Sequence, residues 1–207
     1  MKRTTLVVLG VMGLAALIGA GMLIRMMRYG FSTHDDPSSM EAMMARMMRR
    51  GSVPADLRDA KNPLALTPEV LGEARAHWAD HCATCHGNDG KGQTSFGQGM
   101  YPKAPDMRHE GTQTLSDGEL FSVIENGIRL TGMPGWGSGT AESAYGSWTL
   151  VHFIRHLPKL TPEEIAEMEK LNPKSLAEFE KQKEEEEFLS DGEPSTETTR
   201  EAATHQH

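Results

Sequence analysis

Cys82-Ala83-Thr84-Cys85-His86 is the stretch on which the reading of this chain turns. Two cysteines three positions apart fall within one helical turn, so both sulfurs can add to the two vinyl groups of one porphyrin. The histidine that follows at once then reaches the iron from the same side. This is the attachment signature of c-type haem. Two other uses of a cysteine pair compete with it. A redox dithiol has no need of the following histidine, and a structural zinc site needs a second ligand pair that the sequence lacks. The chain holds only two cysteines, so a disulfide framework is excluded and the pair acts locally.

An electron-transfer haem takes a sixth ligand from its opposite face, and thioether sulfur is the usual partner of histidine. Met133 lies in Thr131-Gly132-Met133-Pro134-Gly135-Trp136-Gly137, between two predicted helices. The flanking glycines and Pro134 let the backbone approach the porphyrin edge and hold the sulfur in place. Met133 is the expected ligand, with Met100 and Met107 as rivals in less constrained surroundings. Trp136 either covers the haem edge or only seals the loop.

Helical periods surround these residues. Thr67-Pro68-Glu69 reads as an N-cap with proline at the first helical position, opening a helix that runs through Trp78 toward Cys82. Residues 87–107, rich in glycine, have no period and read as loop. Ser116-Asp117-Gly118-Glu119 is a capping box for a helix that stops at Asn126-Gly127. A third helix, from about Ala141 to Leu157, places Tyr145, Trp148, Val151, His152 and Ile154 at helical intervals.

The haem-binding segment resembles the class I mono-haem cytochromes c, of the kind also found as haem modules of respiratory oxidase complexes. The likeness rests on Cys82-Ala83-Thr84-Cys85-His86-Gly87, Gly90-Lys91-Gly92, Ala104-Pro105-Asp106 and Gly132-Met133-Pro134. It spans residues 66–158, a little under half of the chain. It implies a small all-α fold around one covalent haem c, with the helix before Cys82 crossing the helix that holds Trp148. It also implies that the Pro105 carbonyl accepts the Nδ1 hydrogen of His86, as outer partners do for metal-bound histidines. The function implied is one-electron transfer, not catalysis, between donor and terminal acceptor proteins. Haem of this type is attached outside the bacterial cytoplasmic membrane, so the domain is expected to face the periplasm.

The remainder of the chain departs from that minimal pattern. An uncharged stretch from Thr4 to Ile24 contains the apolar run Leu6 to Ile24. Nineteen residues at about 1.5 Å each give roughly 28 Å, close to a bilayer's hydrocarbon thickness. Residues 1–28 are therefore expected to anchor the chain in the membrane, with a removed signal peptide as the alternative. Lys2 and Arg3 before the span are balanced by Arg25 and Arg28 after it, so flanking charge does not orient it. Residues 29–65 are expected to be a methionine-rich helix and an irregular connector. Met40, Met43, Met44, Met47 and Met48 share one helical face, which could take soft Cu(I) or could simply be an apolar packing face.

Residues 159–207 are expected to be an acidic tail, helical at first and then disordered. They hold 6 basic and 14 acidic residues, whereas residues 1–158 are balanced at 15 of each. Without a basic footprint the chain is no candidate for nucleic-acid binding. Residues 66–158 carry 6 basic and 10 acidic residues, which favours redox partners with a basic or neutral docking face. The i, i+4 pairs His77/His81 and His152/His156 have no third ligand in register and read as ordinary helix residues.

Overall fold

A computed structural model of the chain describes residues 2–29, 32–174, 180, 181 and 183. Residues from Met1 to Leu171 form one compact unit and those from Asn172 a second. In the second unit residues 180, 181 and 183 are helical; the acidic run 184–187 and the end of the chain lie outside the described residues. No strand occurs among the described residues, so the all-α expectation holds.

Helix α1, Lys2–Tyr29, is the apolar segment. The most apolar 18-residue stretch within Arg3–Arg28 has a mean hydropathy of 2.5, and none of it is buried within the protein. A helix of that length and composition can cross a membrane. Helix α2, Ser39–Ser52, starts at Ser38, whose hydroxyl accepts from Glu41 N at 3.3 Å. The Glu41 carboxylate does not complete a capping box; it accepts from Tyr101 Oη at 2.5 Å. The short helix α3, Ala55–Arg58, follows.

Helix α4, Pro68–His77, begins at the expected Thr67 cap. It does not continue as a plain α-helix to Cys82. Residues Trp78–Cys82 form a π-helical turn, closed by Ala83 N donating to Trp78 O, and α5, Ala83–His86, completes the run. A short helix, α6, Ser95–Gly99, capped by Thr94, interrupts the segment expected to be loop, and a second, α7, Glu110–Gln113, follows that segment. Helix α8, Asp117–Asn126, carries the full Ser116/Glu119 capping box. Helix α9, Ala141–His156, is the third expected helix. Helix α10, Pro162–Glu169, has a second full capping box at Thr161/Glu164.

The core lies where α4 and the π turn meet α9. Trp78 and Phe153 pack with ring centroids 5.2 Å apart, joined by Val151, Leu157, Ile124 and Leu120. Side chains of this size contribute about 1.5–3 kcal/mol each when fully buried. Trp148 is partly buried and stacks on Phe121 at 4.2 Å. Met168 of α10 is wholly buried in the same core, so the compact unit runs past Pro158. Glu164 draws α10 in by accepting from His156 Nε2 at 3.0 Å and pairing with Arg75 at 3.7 Å.

The connector before α4 is irregular but fixed. Asn62 Nδ2 donates to Trp148 O at 2.8 Å, Ser116 Oγ donates to Arg58 O at 2.6 Å, and Gly118 N donates to Ala60 O at 3.1 Å. A methyl group at Gly118 would run into the carbonyl of Leu57. Gly118→Ala should therefore push the connector off α8, costing about 1–3 kcal/mol as overpacking does. Limited proteolysis should then cut within residues 53–65 faster than in the parent protein.

Candidate haem site

The π turn determines how the signature is presented. An extra residue in the turn lets Trp78 and Ala79 bury in the core while Cys82, Cys85 and His86 stay half-buried beside them. Trp78 lies 5.7 Å from His86 between ring centroids, and its Nε1 donates to Gly87 O at 3.0 Å. Gly87 itself has a φ of 74°, which ends the helix and turns the chain back.

The returning chain grips the signature through its backbone. Gly92 N donates to His86 O at 2.7 Å, and Thr94 Oγ1 donates to Cys85 O at 3.1 Å. Gly97 sits so close that a methyl group there would meet the carbonyls of Cys85 and Gly92. Trp78 and Thr94 were not among the expected site residues. The only sequence signals for them were a tryptophan one turn before Cys82 and a threonine before a Gly-x-Gly step.

Burial shapes the chemistry of the three signature side chains. It pushes the Cys82 thiol up to about 12, with the neighbouring Cys85 adding to the effect, and it raises the more open Cys85 thiol as well. It also holds His86 below the usual imidazole range, so the ring is neutral and able to ligate a metal. The expected hydrogen bond from His86 to Pro105 is not made: Nδ1 is buried without a hydrogen-bond partner. The segment around Pro105 is fixed by Ala104 N donating to Gly97 O at 2.9 Å and Met107 N donating to Gly90 O at 2.9 Å.

The loop carrying Met133 folds back along the end of α8. Ile128 N donates to Met133 O at 3.1 Å, and Trp136 N donates to Ile124 O at 2.9 Å. Gly127, with a φ of 65°, admits this because a Cβ there would strike Gly135 N at 2.5 Å. Trp136 is 39% exposed, and its ring meets His81 edge-on at 5.3 Å. This contact sets the Met133 loop against the helix that carries Cys82. Met100 also reaches the loop, its Sδ lying where a side chain on Gly132 would go. Met107 packs on the core. Leu130, at the loop tip, is 92% exposed in a left-handed conformation with φ 62°.

The histidine pairs hold protein groups. His152 Nε2 lies 2.9 Å from Leu64 O, and His156 binds Glu164. His77 and His81 meet edge-on at 5.2 Å. No cluster of three His, Cys, Asp or Glu suited to a metal ion occurs among the described residues.

Two thiols three positions apart on one helical run, a neutral imidazole beside them and a methionine loop in contact with the same helix form a donor set that fits a covalently attached haem. Residues 70–154 match the family model described as cytochrome C oxidase, cbb3-type, subunit III. This segment is a class I cytochrome c domain. No curated protein matches the chain in sequence. The domain's cofactor is haem c, and its activity is electron transfer.

Within this cytochrome domain the Pro105 segment is braced by Asp106. Its carboxylate accepts from Arg108 Nε at 2.9 Å and Nη2 at 2.6 Å, and Arg108 holds it down to about 2. A carboxyl depressed by folding adds stability above its ordinary value near 4, and that stability is lost as pH falls through about 2. Thermal stability should drop between about pH 4 and pH 2. In Asp106→Asn that acid-range slope should be shallower, with a lower midpoint at pH 7, as a pH series of melting curves would read out.

Proposed function

We propose that the chain is a membrane-tethered electron carrier whose haem is held by thioethers at Cys82 and Cys85 and ligated by His86 and Met133. The carrying observation is the contact of Trp136 with His81, which brings the Met133 loop to the helix bearing the cysteines. When bound, the haem supplies a one-electron couple. His86 and Met133 would hold the iron between them and would leave no open position for a substrate. Methionine favours the reduced iron and raises the potential. Both ligand segments are backbone-anchored, which limits movement on electron transfer.

The tether is α1, with its N-terminus in the cytoplasm and the haem domain in the periplasm of a bacterial cell. Support comes from its length and apolar composition and from the site of c-type haem attachment. The exposed Leu130 and Trp136, beside Met133, are suited to contact a redox partner at the haem edge, and the domain's acidic excess favours a basic or neutral face on that partner. A second reading, a fixed haem subunit of a larger respiratory or dehydrogenase complex, is favoured by the description of the matching family as an oxidase subunit.

A gas-sensing or catalytic haem protein would instead keep an open iron position. Carbon monoxide separates these cases. The ferrous protein should show an unchanged spectrum under carbon monoxide, and Met133→Ala should bind it with a clear shift of the Soret band. A Met133→Ala spectrum that matches the parent would remove Met133 as ligand and turn attention to Met100.

A further inference from the structure

Helix α2 presents five methionines to solvent. Met40, Met43, Met44, Met47 and Met48 are 69%, 50%, 53%, 65% and 71% exposed. The helix is not detached: Glu41 binds Tyr101, Arg50 pairs with Glu119 at 3.6 Å, and Ala42 and Arg49 are the half-buried positions along it. At 3.6 residues per turn, Ala42 and Arg49 fall on one side and the five methionines cover an arc of about 140° on the other. The domain thus fixes α2 by its polar side and holds the thioethers outward.

Hydrophobicity does not account for the composition of that arc. The helix has no Leu, Ile, Val or aromatic residue; apart from alanine its apolar side chains are all methionine. Leucine would serve helix formation at least as well and cover an apolar surface better. What methionine alone supplies is sulfur. Residues at i, i+3 and i+4 lie about 5–6 Å apart at Cβ, and each thioether rides on three rotatable bonds. Met40, Met43 and Met44 make one such triad, and Met44, Met47 and Met48 make another. Three thioethers closing on one ion form a soft, neutral ligand set, which selects cuprous copper over zinc and cupric ions.

We propose that the methionine face of α2 binds one Cu(I) ion through three thioethers. No covalent or redox step is involved in binding. Arg46 and Arg50 flank the arc without lying within it, and Arg50 is drawn toward Glu119. Because the sulfurs are open to solvent, an incoming donor or acceptor can exchange ligands with them directly, so the site suits transfer of copper more than permanent storage. It stands on residues outside the haem domain and does not depend on which methionine ligates the haem.

The test uses the full-length holoprotein with its haem kept ferrous under anaerobic conditions, so that Cu(I) is not consumed in reducing ferric iron. The protein is equilibrated with Cu(I) buffered by a competing chelator and separated from it, and copper is measured against haem iron in the same sample. The parent should retain about one copper per iron. A variant with all five methionines of α2 changed to leucine keeps the apolar face and should retain at least ten-fold less, with an unchanged haem spectrum showing that it is folded. Zinc offered in the same way should not distinguish the two. Equal copper retention by parent and variant, or none by either, would overturn the proposal and leave the face as an apolar docking surface.

Discussion

The widened helical turn from Trp78 to Cys82 is the constraint on which the rest of this domain depends. A regular α-helix through this stretch would rotate the cysteines by roughly one position relative to the buried tryptophan. The bond from Ala83 N to Trp78 O absorbs that position. Trp78 and Ala79 then bury in the core, Trp78 against Phe153, while the two thiols and the imidazole stay half-buried. Core packing and cofactor attachment make competing demands on one short helix, and the π turn meets both.

Around that turn, polar side chains do much of the positioning that a larger core would otherwise do. Arg155 donates to Gln113 O at 2.8 Å, to Asp117 and to Leu115 O, which joins α7 and α8 to α9. Gln113 Nε2 reaches both Met107 O and Ile154 O, at 2.7 and 2.9 Å, and so fixes the segment after Pro105. Asn62 and Glu164 do the same for the connector and for α10. Buried hydrogen bonds of this kind contribute modestly when made but are costly to break on one side. That cost favours a single arrangement of loops in a domain whose apolar core is small.

The five residues from Cys82 to His86 were enough to read the cofactor, and with the glycine and proline motifs around them they pointed to the fold. Capping residues carried the helix starts at Thr67 and Ser116, because a cap is a local signal that tertiary structure rarely overrides. The π turn was not legible, since its cause is the burial of Trp78 against a helix some 75 residues away in sequence. Helix α6 was hidden by its glycines, of which Gly97 is there for close approach to the carbonyl of Cys85. The Pro105 bond came from resemblance alone, and His86 Nδ1 has no hydrogen-bond partner. The sixth ligand is the least legible part, because Met100 and Met133 meet at Gly132 in space although they lie far apart in the chain.

The account stands or falls on covalent attachment at Cys82 and Cys85, and intact-protein mass spectrometry under denaturing conditions tests this most directly. The chain should carry the added mass of one haem, and digestion should leave that mass on the peptide that contains Cys82 and Cys85. A chain at its bare mass, with haem released into acidified organic solvent, would contradict the account.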